Sequence, residues 1–190
     1  MKEAQIPMRS LKSIIILILL FSNYLFGTDL NRQDSSKIIG FSTSAGIGGN
    51  YFGFTLCGNV SFTINQHLFT VKYSNSKELR FGVENNFDEP SLSLHEFGIL
   101  YGRYQRKDHL LLSLSVGMSY LNGIKRGQNL RYKEYEQINI STIGFPFELE
   151  STFEFTNYMG LGLLFYGNIN KEKTFIGGML RIKMGRFLIK

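Results

Sequence analysis

From Phe52 to Asn65 the chain reads Phe-Gly-Phe-Thr-Leu-Cys-Gly-Asn-Val-Ser-Phe-Thr-Ile-Asn. The even-numbered residues are large and apolar except for Gly58, whereas the odd-numbered residues are small or polar. A period of two residues places alternate side chains on opposite faces of a β-strand. This segment is therefore predicted to be a strand with one apolar face and one face of small and polar side chains.

The same alternation recurs in seven further segments. They begin at Ile39, Phe69, Phe97, Leu110, Ile143, Met159 and Ile176. No convincing helical stripe interrupts them. Together with the strand that contains Phe52, they make about eight strands, a number that closes a small barrel.

The composition of the two faces indicates which one points outward. In a soluble barrel the polar face meets water and should be rich in Lys, Glu, Asp and Thr, but here that face is mostly Gly, Ser, Thr and Asn, which suit a crowded interior. A transmembrane barrel has the inverted order, apolar outside and polar inside. We therefore predict an all-β fold, a single antiparallel up-and-down transmembrane barrel. The side chains predicted to point outward are Phe54, Phe62, Leu112, Leu114, Phe145 and Leu161, and those predicted to point inward are Ser61, Ser113, Ser115 and Gly117.

The connections between the strands alternate in length, except that the first, Gly48–Tyr51, is short where a long loop would be expected, and the last, Asn168–Lys173, is intermediate. Those at Asn65–His67, Arg106–His109 and Phe155–Tyr158 are tight, whereas Ser76–Ser91 and Asn122–Glu136 are long and charged. Outer-membrane barrels have short periplasmic turns and longer outer loops. The two long loops are therefore expected at the outer end, either as solvated rims that extend the strands as hairpins or as the place where lipopolysaccharide or another surface ligand would be met.

The N-terminal segment has the parts of a secretory signal peptide. Lys2, Arg9 and Lys12 precede a short apolar run, and Gly27 follows it. The run is shorter than the ~20 residues of a spanning helix. The sequence thus predicts a signal peptide at 1–27, a linker at 28–37 and the barrel at 38–190, in the outer membrane of a Gram-negative bacterium.

Charge and cysteine content limit the function classes. The net charge of the whole chain is +6, the charges are dispersed, and this distribution does not suggest a nucleic-acid surface. The chain has one Cys, so an intrachain disulfide or a cysteine zinc site is excluded. No cofactor, metal site or catalytic group is expected, and the barrel is expected to be a monomer in contact with outer-membrane lipid.

Several short motifs resemble those of a known architecture. They are Glu96-Phe-Gly-Ile-Leu-Tyr-Gly102, Ser115-Val-Gly-Met-Ser-Tyr120, Ile143-Gly-Phe-Pro-Phe-Glu148, Gly160-Leu-Gly162, and Gly177-Gly178 through Gly185-Arg186. The chain resembles the eight-stranded outer-membrane barrels of the OmpA and OmpX type, and its second half is similar to small uncharacterised barrel proteins of Bacteroidetes-type bacteria. The C-terminus departs from the resemblance, because such barrels commonly end in an aromatic residue and this chain ends in Lys190. The resemblance implies a fold and assigns no functional residues.

Six charged residues share the inward phase of the strands. They are Lys72, Glu96, Glu148, Glu150, Arg181 and Lys183. In a barrel too narrow for a channel, such a cluster of mixed sign is expected to form a structural plug of ion pairs. Two other hypotheses for the same residues are acid–base chemistry by paired carboxylates and ion passage.

We therefore expect an outer-membrane barrel with a narrow or plugged lumen and a structural or surface role. One alternative is a soluble periplasmic barrel or sandwich that binds an apolar ligand. Another is a lipid-modifying outer-membrane enzyme, for which the only hint is His95 with Ser93 near the outer rim, and no third orienting group is identifiable.

Overall fold

The computed structural model describes residues 39–51, 53–78, 92–131 and 134–186. Eight strands form one closed antiparallel barrel in which each strand pairs with its neighbours in chain order, and β8 pairs with β1. The predicted fold, an eight-stranded up-and-down barrel, is confirmed. The strands are β1 (Ile39–Asn50), β2 (Gly53–Ile64), β3 (His67–Glu78), β4 (Ser93–Lys107), β5 (Leu110–Arg131), β6 (Glu134–Thr156), β7 (Met159–Asn170) and β8 (Phe175–Arg186). The predicted signal peptide and linker lie outside the described residues.

The hydrogen-bond register determines the width of the barrel. A path through the register partners returns to β1 ten residues from where it began. The path is Gly40, Thr63, Leu68, Gly102, Ser115, Glu148, Tyr166, Gly177 and Asn50. With about 3.3 Å per residue and about 4.8 Å between strands, this offset tilts the strands by about 40° and gives a backbone radius of about 8 Å. A lumen of that radius is filled by side chains.

The two ends of the barrel differ. The connections of β2 to β3, β4 to β5 and β6 to β7 have two residues each and lie at one end, the turn end. By the strand bounds, two residues also separate β1 from β2 and β5 from β6 at the opposite end. Asn65 and Asp108 begin the first two turns with φ values of 56° and 53°. Asn and Asp tolerate this left-handed conformation better than most residues, which explains why the chain reverses there. The other connections lie at the opposite end, the loop end.

The predicted faces are confirmed. Phe62 and Phe145 are outward and 50% and 58% exposed, whereas Ser61 and Ser113 are inward and buried. On β5 the apolar outward side chains run from Leu110 to Tyr120. Ten steps of about 3.3 Å along a strand tilted by about 40° make an apolar belt about 25 Å tall, which is the height that lipid-facing belts of membrane barrels have.

The prediction of a loop at Asn122–Glu136 is wrong. β5 continues to Arg131 and β6 begins at Glu134, so the two strands extend the barrel wall past Asn122 as a hairpin. The segment between β3 and β4, residues 79–91, lies outside the described residues.

Candidate functional site in the lumen and at the loop-end rim

The lumen contains a chain of ion pairs, here called the charge network. It is formed by the six inward residues that the sequence singled out, carried by β3, β4, β6 and β8, and all six are buried. The alternation of side chains along each strand directs all six inward, and the register of the strands brings them to similar depths in the lumen. The six residues are Lys72, Glu96, Glu148, Glu150, Arg181 and Lys183.

The charges alternate in sign along the network. Lys72 Nζ lies 3.3 Å from Glu96 Oε2 and 3.2 Å from Glu148 Oε1. Arg181 Nη1 lies 3.6 Å from Glu148 Oε2 and 3.1 Å from Glu150 Oε2. Lys183 Nζ completes the series at 3.5 Å from Glu150 Oε1. Three carboxylates therefore face three cations, so the network has no net charge, and each carboxylate has at least one buried cationic partner.

Neutral side chains hold the two ends of the network. Ser74 Oγ donates to Glu96 at 3.1 Å, and Asn168 Nδ2 donates to the other oxygen of Glu96 at 2.6 Å. Thr152 Oγ1 donates to Glu150 at 2.7 Å. Hydrogen bonds to ionised groups are stronger than neutral ones, so these donors help to offset the cost of burying the carboxylates.

A further ion pair, which sequence reasoning missed, lies near the turn end of the lumen. Arg106 Nη2 lies 2.6 Å from Glu154 Oε2, and the Glu154 side chain is buried. The alternation of β6 places Glu154 on the inward face, but the sequence pattern placed Arg106 in the tight connection Arg106–His109, so the pair was not predicted. Only the three-dimensional structure shows that the turn-end residues of β4 and β6 meet.

The loop-end half of the lumen contains an apolar cluster, which the sequence did not predict, beside buried polar side chains such as Thr55 and Ser76. Tyr166, Phe175 and Leu121 lie in the barrel interior at the level of Glu96 and beyond it, each no more than 2% exposed. They belong to one contiguous cluster of buried residues. Its members are Cys57, Leu94, Leu121, Ile140, Leu164, Tyr166, Phe175 and Met179. This packing fills part of the lumen towards the loop end.

The order of polarity reverses on the strands that pass the loop end of the belt. On β5, Tyr120 is outward and 52% exposed and Ser119 is inward, but one step further Asn122 is outward and Leu121 is inward. Within three residues, the outward side chain of β5 thus changes from aromatic to polar, and the inward side chain changes from polar to apolar.

The neighbouring strands reverse at the same place. On β4, the outward Phe97 is followed towards the loop end by the half-buried His95, and the inward residue there is the buried Leu94. On β6, Ser141 is exposed and Ile140 is buried. Because His95 pairs with Asn122 and Asn122 pairs with Ser141, these positions form one continuous row, here called the loop-end rim.

Two His–Tyr pairs lie on the outward face of β3 and β4, one near each end of the belt. Near the turn end, His67 Nδ1 lies 2.7 Å from the Tyr101 hydroxyl. At the loop-end rim, His95 Nδ1 lies 2.8 Å from the Tyr73 hydroxyl. His95 therefore contacts Tyr73, and among the described residues no hydrogen bond joins it to Ser93, the partner that the enzyme hypothesis required.

At the loop end, the β5–β6 hairpin is tied to the β7–β8 connection. Lys125 Nζ donates to Glu172 Oε2 at 2.8 Å. This hydrogen bond and the adjacent positive charge lower the pKa of the Glu172 carboxyl below its ordinary value.

In the part of the chain that the structure describes, no helix is long and apolar enough to cross a membrane. Within the same ranges, no group of three or more His, Cys, Asp or Glu is placed to hold a metal ion.

No protein-family model matches the sequence, and neither does any curated protein. Solved structures with the same fold do match. A major outer membrane protein of Thermus thermophilus has a TM-score of 0.60 at 9% identity over 77% of this chain and 99% of that one. The N-terminal β-barrel domain of Pseudomonas aeruginosa OprF has a TM-score of 0.57 at 12% identity over 79% and 99%. Neisserial surface protein A has a TM-score of 0.52 at 12% identity over 79% and 96%. The chain therefore shares its eight-stranded barrel fold with outer-membrane proteins.

Proposed function

We propose that the protein is an integral outer-membrane barrel with a plugged lumen and a structural or surface role, the turn end in the periplasm and the loop end outside. One observation carries the proposal, the reversal of polarity at the loop-end rim. A soluble barrel surrounded by water has no reason to change its order partway along a strand. A barrel that leaves lipid and enters water must change it there, because its outer surface meets a new solvent.

The height of the apolar belt supports the same proposal. The outward side chains below the rim are mostly large and apolar, and most of these are more than a third exposed. An apolar surface that extends all around a monomer far exceeds the patches of a few hundred Å² that soluble proteins expose. The soluble alternative, in which an apolar ligand binds inside, would need an apolar lumen along the whole barrel, but its middle is charged.

We further propose that residues 1–27 are a signal peptide, because an outer-membrane barrel must first cross the inner membrane. The same proposal makes the lumen non-conducting. The charge network fills the middle, and the apolar cluster blocks the outer half, where an ion would have to shed its water. Any partner of the surface role would be met at the loop end, on the hairpin of β5 and β6 and on the segment 79–91.

Cell fractionation tests the location. The protein is expected in the outer-membrane fraction, with a folded band on a gel that shifts when the sample is boiled. Recovery from the periplasm by a salt wash would contradict the proposal. A second test is conductance across a planar bilayer, where the reconstituted barrel is expected to show no open-channel steps. Regular steps would contradict the plugged lumen and leave the location unaffected.

A further inference from the structure

The lipid-facing surface is not uniform around the loop-end rim. On β2, β7 and β8 the outward residues stay apolar to the end of the strand, with Phe54, Ile169 and Ile176 in the last positions. On β3, β4 and β5 the last exposed aromatic residue, which is Tyr73, Phe97 or Tyr120, is followed towards the loop end by polar residues in the outward phase. Four of these, here called the rim patch, are Asn75, Lys77, His95 and Asn122.

The register concentrates the rim patch in a small area. His95 pairs directly with Asn75 on one side and with Asn122 on the other. Directly opposed residues have Cβ atoms about 5 Å apart, and diagonal neighbours such as Lys77 and His95 are about 7–8 Å apart. With strands tilted by about 40°, each step to the next strand changes the depth by about 3 Å, so the four residues lie within one narrow band of depth.

The residues of the rim patch occupy the outward phase of their strands and carry hydrogen-bond donors, although the amide oxygen of Asn75 is buried. Lys77 is exposed and brings a positive charge. The Tyr73 hydroxyl lies 2.8 Å from Nδ1 of His95, and in the tautomer in which the hydroxyl donates there the imidazole proton resides on Nε2. Among the described residues, no side-chain hydrogen bond uses the amides of Asn75 and Asn122. The patch thus offers one cation, one imidazole N–H and two amides.

We propose that the rim patch binds the phosphate group of an anionic lipid in the outer leaflet. Phosphate oxygens accept several hydrogen bonds and attract an ammonium group, which is what the patch supplies. The depth also fits, since the patch begins where the apolar belt ends and lipid phosphates lie at that boundary. This inference rests on the proposed membrane location and assigns the lipid contact to the barrel wall, apart from the loops.

The matched control is the other His–Tyr pair. His67 and Tyr101 repeat the contact of His95 and Tyr73 on the same two strands, near the opposite end of the belt. The experiment uses nanodiscs of phosphatidylcholine that contain a minor share of phosphatidic acid, whose headgroup is a bare phosphate. Native mass spectrometry then counts the phosphatidic acid that stays bound to each released barrel. Insertion is checked first by the gel shift on boiling.

Wild type is expected to retain phosphatidic acid in preference to phosphatidylcholine, and His67→Gln to retain it equally. Lys77→Gln and His95→Gln together should reduce retention about tenfold or more, the effect of losing charge-assisted hydrogen bonds. Lys77→Gln alone, at an exposed position that cannot prevent folding, should reduce it in part. Equal retention by the double variant, or equal loss in His67→Gln, would overturn the proposal that the rim patch binds the lipid phosphate.

Displacement of the lipid by inorganic phosphate at similar concentration would show a site for free phosphate and overturn the lipid assignment. A wild-type barrel that fails to insert would instead contradict the proposed membrane location.

Discussion

Replacing Arg181 by Met tests whether balance of charge stabilises the lumen. Arg181 is 1% exposed and contacts two carboxylates, Glu150 at 3.1 Å and Glu148 at 3.6 Å. Removing one partner of a buried ion pair costs about 3–5 kcal/mol, because the remaining charge stays in a medium of low dielectric. Here each carboxylate keeps a second cation, Lys72 or Lys183. We therefore expect Arg181→Met to lower the free energy of unfolding by about 3 kcal/mol, at the low end of that range.

A second substitution should recover part of this loss. With Arg181→Met and Glu148→Gln together, the network consists of two complete pairs, Lys72 with Glu96 and Lys183 with Glu150. The expected recovery is about 1–2 kcal/mol, within the usual coupling between residues in direct contact. Glu172→Gln is the matched control. It removes one negative charge from the loop end, outside the lumen, and should recover nothing.

The assay is urea-induced unfolding of the barrel in lipid vesicles. The chain has no Trp, so the folded fraction is best followed by the gel shift on boiling. The reasoning is refuted if the double variant is no more stable than Arg181→Met, or if Glu172→Gln restores as much stability as Glu148→Gln. Either result would mean that packing in the lumen, and not the balance of charge, sets the cost.

Three further predictions use the same protein. At Gly117 an added Cβ would lie 2.0 Å from a backbone oxygen, whereas at Gly58 its nearest neighbour is 3.9 Å away. Gly117→Ala should therefore lower the unfolding free energy by at least about 1–3 kcal/mol and Gly58→Ala should change it little, a contrast that urea titration measures. Leu163 is 64% exposed in the middle of the belt. Leu163→Arg should cost about 2–4 kcal/mol in lipid while Asn139→Arg, beyond the rim, costs little, and equal small costs would contradict the membrane assignment. Trypsin added to intact cells should cut within 79–91 or at the end of the β5–β6 hairpin and spare Arg106 and Lys107 at the turn end; the reverse pattern, seen by mass spectrometry of the fragments, would invert the topology.

The sequence alone was sufficient to predict the architecture, since alternation is a local property. In Phe52–Asn65, as in the other segments, the alternation itself shows which residues lie on the apolar face and which lie on the polar face. A closed barrel of strands paired in chain order needs no long-range information beyond the order of the strands. The six residues of the charge network followed from phase as well. Their actual pairing did not, because partners such as Lys72 and Glu148 are far apart in the chain and meet only through the register of four strands.

The error at Asn122–Glu136 has a physical cause. On β6, Phe145 and Ile143 occupy the outward phase, whereas Ile140 and Ile138, nearer the loop end, occupy the inward phase. On β5, Leu121 lies inward directly after the outward Tyr120. A prediction that requires the apolar residues to stay on the same face of the strand interprets this change as the end of the alternation, and therefore as the end of the strand. The strand continues, because the period of two persists while the solvent on the outer face changes. The same reversal hid the apolar cluster of the outer lumen.

The charge network also explains why the barrel closes in a single register. β8 carries Arg181 and Lys183, and their partners Glu148 and Glu150 lie on β6, so the pairs form only when β8 is paired with β7 in the observed alignment. A slip of one residue would turn every side chain of a strand to the other face. For β8 it would place two cations against lipid, at about 2–4 kcal/mol each near the middle of the bilayer, and remove both cations from Glu150 inside. The ion pairs therefore contribute more to discriminating against wrong registers than to net stability, since their desolvation cost offsets much of their attraction.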